Sequence, residues 1–491
     1  MKQTKAWICF SITIFLFLFS FYLHTDHIVK GSDRKQWLIK EIDQILLENP
    51  SLDGALASVS IRSGSTGEVI YDYNGNIRLK PASNLKILTA VAALNILGED
   101  YRFKTELLTD GKVRWGILNG NLYIRGKGDV TLLPTDMDEM AKQLQKIGVK
   151  IIRGDLIGDD TWYDNVRYSI DLPWSDETMR YGSPISALTV SSDKDYDAGT
   201  VKVEIVPARQ MDQKASITVH PNNNYFEIIN NIKTVSSEEI EDIVVTREHC
   251  TNRVIVDGQI PISATKFIVK VAVWEPTEYA LHLFQQSLKD NGIKLLGDKS
   301  RGITPEDTSI LTSHKSVPLF KLLIPFMKLS NNGHGDTLMK EIGKVVKGDG
   351  NWENGLEVTK EALAQYGVNT ETIILRDGSG ISHVNLIPTN EISLLLYSIQ
   401  KEKWFTTFLH SLPVAGVSNK MVGGTLKNRM KDTDGRVKAK TGTLATVSSI
   451  SGYVETKSGE TLIFSIVINN MMENKNGKKL EDQIVTTLVN F

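Results

Sequence analysis

The sequence predicts an α+β protein in which an antiparallel sheet flanked by helices is assembled from the two ends of the chain, with two largely β subdomains inserted between them. Three observations carry that prediction. Helical and strand patterns alternate at both termini, whereas strand patterns dominate the stretch from about 103 to 273. The chain is 491 residues long with 41% hydrophobic and 23% charged residues, averages of a soluble globular protein. That length accommodates roughly three domains of about 150 residues, and the composition disfavours disordered, collagen-like and disulfide-scaffold classes. Lys+Arg 56 against Asp+Glu 58 leaves a net charge of −2, so the balance points to no nucleic-acid partner, which demands a clearly basic face.

Taken in order, the first feature is Lys2 and Lys5 ahead of an uncharged apolar run from Ala6 to Leu23. This is the charged and hydrophobic pattern of an export signal. The run is also about as long as the shortest spanning helix, and Tyr22, Leu23, His24 and Thr25 make a poor cleavage site, so an uncleaved anchor competes with a cleaved signal. Residues 1–25 are therefore expected to be a signal peptide or N-terminal anchor, with the bulk of the chain outside the cytoplasm.

Asp33 to Glu48 carries apolar residues at helical spacing, stopped by Asn49, Pro50 and Gly54. Ala55 to Ile61 and Glu68 to Tyr73 read as a hairpin around the turn-rich Ser63 to Gly67. Ile87 to Leu97 is apolar throughout, the pattern of a buried helix. From Phe103 to about Asp164 strands mix with one helix near Asp136 to Ile147, and from about Val201 to Val273 nearly everything reads as strand. Near the C-terminus, Arg436 to Ala439, Ser448 to Glu455 and Thr461 to Ile468 read as strands, followed by an amphipathic helix from Lys478 to Phe491. The expected division is 33–102 with 310–491 as a discontinuous main domain, 103–170 with 274–309 as an inserted α/β subdomain, and 171–273 as an inserted β-rich subdomain.

The two cysteines, Cys9 and Cys250, leave no intramolecular disulfide once the leader is removed, and Cys250 is expected to be a partly buried small apolar residue. The nine histidines are scattered, and neither His-Glu-x-x-His nor Cys-x-x-Cys occurs, so no metal site is expected.

Three short motifs could carry chemistry. Ser83 and Lys86 open the apolar helix one turn apart, on the same face. A serine hydroxyl is a weak nucleophile, and a lysine amine kept neutral by burial or by a second nearby cation can take its proton. Ser32/Lys35, Ser191/Lys194 and Ser398/Lys401 share the spacing, but only the Ser83 pair sits at the head of an apolar helix that can desolvate the amine. Ser330-Asn331-Asn332 offers a Ser-x-Asn, which by itself reads equally as a polar turn or helix cap. Lys440-Thr441-Gly442-Thr443 lies at the end of an expected strand, where Gly admits a ligand to the backbone and Lys can pair with a carboxylate.

In the order Ser-x-x-Lys, Ser-x-Asn, Lys-Thr-Gly, these motifs form the set of serine β-lactamases and penicillin-binding proteins. From roughly Leu46 onward the chain resembles the serine D-alanyl-D-alanine carboxypeptidase/endopeptidases among the low-molecular-mass penicillin-binding proteins. Tyr181 to Leu188, Arg376 to Gly380, Leu412 to Gly416, Gly424-Thr425-Leu426 and Ser451-Gly452-Tyr453 support the likeness. The long span between Ser83 and Ser330 is similar to the three-domain subgroup, which carries extra domains between its first two motifs. The resemblance implies a penicillin-binding transpeptidase-like catalytic domain, exported to the outer face of a bacterial cell envelope. It implies attack by Ser83 on the D-Ala-D-Ala bond of a peptidoglycan stem peptide, with Lys86 as base and Ser330 as proton relay. Asn332, Lys440, Thr441, Gly442 and Thr443 would bind substrate, and the amides of Ser83 and Thr443 would form an oxyanion hole. β-Lactam antibiotics would acylate the same serine, and no cofactor would be required. Gly335-Asp336, Val130 and His383 depart from the residues common in relatives, the last putting recognition of the substrate's distal acidic group in doubt. A β-lactamase, a β-lactam sensor and a wall-binding scaffold are the rival readings; a sensor would need a cytoplasmic output domain that five residues ahead of the apolar run cannot supply.

Overall fold

The computed structural model describes residues 33–491, so the leader and Cys9 lie outside the described residues. The main sheet is antiparallel and five-stranded. It is built from β1 (Leu56–Ser63) and β2 (Val69–Tyr73) near the start of the chain and from β3 (Val437–Leu444), β4 (Val447–Glu455) and β5 (Thr461–Asn469) near its end, in the order β3-β4-β5-β1-β2. The two ends join where β1 pairs with β5, Leu56 opposite Asn469 and Ser63 opposite Leu462.

Strand periodicity places alternate side chains on opposite faces. On one face Ala57, Val59 and Ile61 of β1 and Leu462, Phe464, Ile466 and Ile468 of β5 meet two helices. One is α1, spanning 33–47, which presents Leu38, Ile42 and Leu46; the other is the C-terminal helix Asn474–Asn490, which presents Leu480, Ile484 and Leu488. On the opposite face the strands carry small hydroxyls instead. Ser58 bonds Thr389 at 2.7 Å and Ser60 bonds Ser393 at 2.8 Å, so helix Thr389–Ser398 can lie close against the sheet with these facing hydroxyls paired. Beyond it, a helical layer packs around α2 (Leu85–Leu97), whose residues from Leu85 to Leu94 are all buried. A helix apolar on every side belongs inside a core.

The inserted region forms its own core. One five-stranded sheet runs in the order Lys299–Arg301, Leu156–Asp159, Leu122–Lys127, Lys104–Thr109, Ser309–Lys315. Helices Pro134–Lys146 and Pro276–Asp290 belong to the same core. Strands between Thr200 and Ala272 form a three-stranded and a four-stranded sheet. The boundary expected at 310 moves: Ser309–Lys315 pairs antiparallel with Lys104–Thr109 and closes the inserted sheet before the chain returns to the helical layer. It is a polar edge strand with little buried surface, so the sequence offers no apolar alternation to mark it. Cys250 also differs from expectation. It is exposed, at φ +60° in the turn between strands Asp242–Arg247 and Arg253–Pro261, because a hairpin tip has no core to enter. Among the described residues no helix is long and apolar enough to cross a membrane.

Candidate active site

The three motifs converge on a cleft of about 690 Å³, a size suited to a small organic ligand, lined by Ser83, Ser330, Asn332, Thr441 and Thr443 together with Arg180, Tyr181 and His383. Ser83 lies in a 3₁₀ turn (Ala82–Asn84) that runs directly into α2, with Ala82 held at φ +48°. One turn on, Lys86 is fully buried. Its Nζ donates to Ser83 Oγ at 2.9 Å, to Asn332 Oδ1 at 2.7 Å and to the Ser379 carbonyl at 2.6 Å. An ammonium satisfies all three acceptors. A neutral amine has two N–H groups, and with these on Asn332 and Ser379 its lone pair faces the Ser83 hydroxyl.

Ser330 sits at φ +58° in the tight corner between helix Leu319–Lys328 and helix α3 (Asn332–Lys347). The corner puts Asn332 at the head of α3, where its Nδ2 donates to the Tyr181 carbonyl at 2.9 Å while its Oδ1 serves Lys86. Lys440 lies inside β3 rather than at its end, fully buried, and its Nζ donates to Ser330 Oγ at 2.8 Å and to the Thr441 carbonyl at 2.6 Å. Thr441 bonds Thr425 Oγ1 at 2.7 Å, and Thr443 is exposed to the cleft. At Gly442 a Cβ would lie 2.9 Å from the Ser83 amide nitrogen, so only glycine lets this strand approach the serine so closely.

Burial dominates the charges. It lowers the Lys86 amine to about 7, against the pull of Asp336 and Asp377 and with a smaller push from Arg180. Lys440 is also pushed well below the usual lysine range, first by burial and then by Lys86. The cations around the pair add to burial: Arg180 acts on Lys86, and Lys86 acts on Lys440. Among the described residues no group of His, Cys, Asp or Glu is arranged to hold a metal ion.

Several groups at the site carry no sequence signal of their own. Tyr181 and Ser379 contribute main-chain carbonyls, to which side-chain identity is irrelevant. Asp377 is visible in the sequence only as part of an Asp-Gly-Ser-Gly turn. Arg180 and Asp336 are single charges whose placement only the fold reveals.

The D-Ala-D-Ala carboxypeptidase 3 (S13) family model matches residues 38–491. The chain belongs to this family. Over 460 residues it is 40% identical to a D-alanyl-D-alanine carboxypeptidase of Actinomadura sp. (strain R39), covering 92% of this chain and 85% of that one. It is 30% identical over 428 residues to the D-alanyl-D-alanine carboxypeptidase DacB of Haemophilus influenzae, covering 85% and 86%. The crystal structure of penicillin binding protein 4 (dacB) from Haemophilus influenzae superposes with a TM-score of 0.79 at 26% identity, covering 92% of this chain and 99% of that one. This S13 protein is thus an enzyme of the D-Ala-D-Ala carboxypeptidase class, with the mixed α+β fold its motifs predicted.

Proposed function

We propose that the enzyme removes the terminal D-alanine from peptidoglycan stem peptides through an acyl-enzyme on Ser83. The observation that carries this reading is the 2.9 Å hydrogen bond between a buried lysine amine and the serine hydroxyl, in a cleft open to solvent. Ser83 Oγ attacks the penultimate D-Ala carbonyl as its proton passes to Lys86 Nζ. The amides of Ser83 and Thr443 stabilise the resulting oxyanion, an arrangement worth about 3 kcal/mol per donor. Ser330, bonded to Lys440, passes its proton to the leaving amine and is reprotonated by the Lys86 ammonium, so that D-alanine departs and Lys86 is neutral again. Water then attacks the ester and gives its proton to Lys86, which returns it to Ser83 Oγ as the ester C–O bond breaks and the serine is regenerated. Asn332 holds the substrate backbone, Thr441 and Gly442 line its path, and Lys440 meets the terminal carboxylate, which restores the charge that burial disfavours.

Residues 33–102 and those after 315 form the catalytic unit in this reading, with the two inserted subdomains between. The protein works outside the cytoplasm, exported by residues 1–25, on cell-wall peptidoglycan, with β-lactams as covalent inhibitors. Support for the last point comes from the Haemophilus influenzae penicillin binding protein 4, which has been solved in complex with a β-lactam and superposes with a TM-score of 0.74 at 26% identity, covering 90% of this chain and 97% of that one. Mass spectrometry of purified muropeptides after incubation is the test. Loss of one alanine supports the carboxypeptidase reaction, cleavage of cross-linked dimers assigns an endopeptidase reaction, and unchanged muropeptides refute the reading.

A further inference from the structure

Asp336 takes no part in the acyl-transfer steps above, yet it is 5% exposed, one turn into α3, and grips the turn that carries Ser379. The backbone of Gly378 is held on both sides of its Cα: its N–H donates to Asp336 Oδ1 at 2.9 Å, and its carbonyl accepts from Thr89 Oγ1 of α2 at 2.7 Å. The next carbonyl along is the Ser379 acceptor of Lys86. Asp377 pins the far side of the same turn, accepting from Gly380 N at 2.8 Å, Ser382 N at 2.7 Å and Asn385 Nδ2 at 3.0 Å. Helix and turn approach through glycines: a Cβ at Gly335 would lie 2.6 Å from the Gly378 carbonyl oxygen, and one at Gly378 would strike the Gly335 carbonyl. A short carboxylate at 336 therefore reaches the turn only because both backbones are bare.

We propose that Asp336 is a positioning residue for Lys86: through the backbone of Gly378 it fixes the Ser379 carbonyl on which the amine hangs, and its negative charge holds the amine's proton. The inference rests on Lys86 acting as the base. Burial and then Asp377 push the Asp336 carboxyl up to about 7, where it titrates beside the amine. The titratable and charged groups acting around the pair are Lys86 on α2, Asp377 on the turn, Arg180 from the inserted segment, Lys440 on β3, and His334 and Lys340 on α3. Trp352 Nε1 adds a neutral donor to Asp336 at 3.3 Å. Because Asp336 favours the ammonium form of Lys86, removing its charge makes the amine lose its proton at lower pH.

Two variants of the full chain separate charge from position. Asp336→Asn keeps an acceptor for Gly378 N–H and removes the charge; Thr89→Val frees the Gly378 carbonyl, in the peptide that leads to Ser379, and leaves every charge in place. Acylation rates with a labelled penicillin are measured from about pH 5 to 9, where the base titrates, with thermal unfolding recorded alongside. For Asp336→Asn the rising limb should move to lower pH by roughly one unit, about tenfold faster acylation on its acid side. For Thr89→Val the plateau should fall by roughly tenfold with the limb unmoved. An Asp336→Asn limb that coincides with the wild type or moves to higher pH overturns the charge role. A Thr89→Val plateau equal to the wild type overturns the positioning role. Peptide mapping keeps the two levels apart: label on Ser83 with unmoved profiles sinks only this inference, whereas label elsewhere sinks it together with the acyl-enzyme assignment.

Discussion

Gly442→Ala tests whether the closeness of β3 to Ser83 matters to the chemistry. An added Cβ would collide with Ser449 Oγ and lie 2.8 Å from the Pro81 carbonyl oxygen and 2.9 Å from the Ser83 nitrogen. Ordinary contacts begin at about 3.5 Å, so the strand must retreat from the serine by roughly half an ångström. Two of the three obstructing atoms are backbone and cannot rotate away. The third, Ser449 Oγ, is tied to the Pro81 carbonyl at 2.7 Å and turns only by losing that bond. Overpacking of this kind costs about 1–3 kcal/mol of stability. Its effect on catalysis should be larger, because the retreat separates the amides of Ser83 and Thr443, and the loss of one oxyanion donor costs roughly 10²–10³-fold. The expected result is acylation by a labelled penicillin slowed about 10²-fold in stopped flow, with a melting temperature only a few degrees lower. A rate within about threefold of the wild type would refute the reasoning.

Ser83→Ala should abolish labelling by penicillin while the protein stays folded, since the loss of one hydroxyl at a helix start costs about 1 kcal/mol; labelling that persists refutes the nucleophile. Lys86→Arg should collapse acylation for every substrate, because guanidinium does not deprotonate in proteins. Lys440→Arg should retain part of the activity, with its loss falling on peptides that end in a free carboxylate rather than an amide; equal losses across both variants and both peptide types would mean the roles are misassigned. Arg429→Ala should destabilise the fold by about 3–5 kcal/mol in urea, because it leaves the fully buried Glu481, which Arg429 meets at 2.8 Å, without its partner; a loss under about 1 kcal/mol would refute that.

What the sequence revealed and what it hid follow from which forces leave a local pattern. Apart from Lys86 and Thr89, Leu85 to Leu94 is apolar and fills the helical core, and that showed directly. The hairpin of β1 and β2 showed because turn residues interrupt alternating ones. By contrast, Ser309–Lys315 is placed by backbone pairing at a sheet edge, which selects no side-chain pattern. Spacing suggested the Ser83–Lys86 contact, but the amine's other two partners lie far along the chain, and one is a carbonyl. The Lys-Thr-Gly motif shows where Lys440 lies but not its burial, which pushes the amine well below the usual lysine range.

The inserted segment does more than occupy the space between the first two motifs. Asn331 Nδ2 donates to the Tyr196 carbonyl at 2.9 Å and to Asp197 Oδ1 at 3.2 Å, and His334 Nε2 bonds the same carbonyl at 2.7 Å. Asn332 reaches Tyr181, Lys340 bonds Asp164, and Glu341 accepts from Trp162 at 3.0 Å and from Tyr163 at 2.7 Å. Each of these side chains, in α3 or just ahead of it, is buried, and each would lose a partner if segment 160–197 were absent, although Asn332 would keep Lys86 and Glu341 would keep Tyr101. An unpaired buried polar group costs about 1–3 kcal/mol, and an unpaired charge more, so the helix that carries Asn332 could not keep its place without the insertion. The catalytic amine hangs from that same Asn332. The insertion therefore bears on the chemistry through the pose of α3, although its own sheets lie away from the reacting serine.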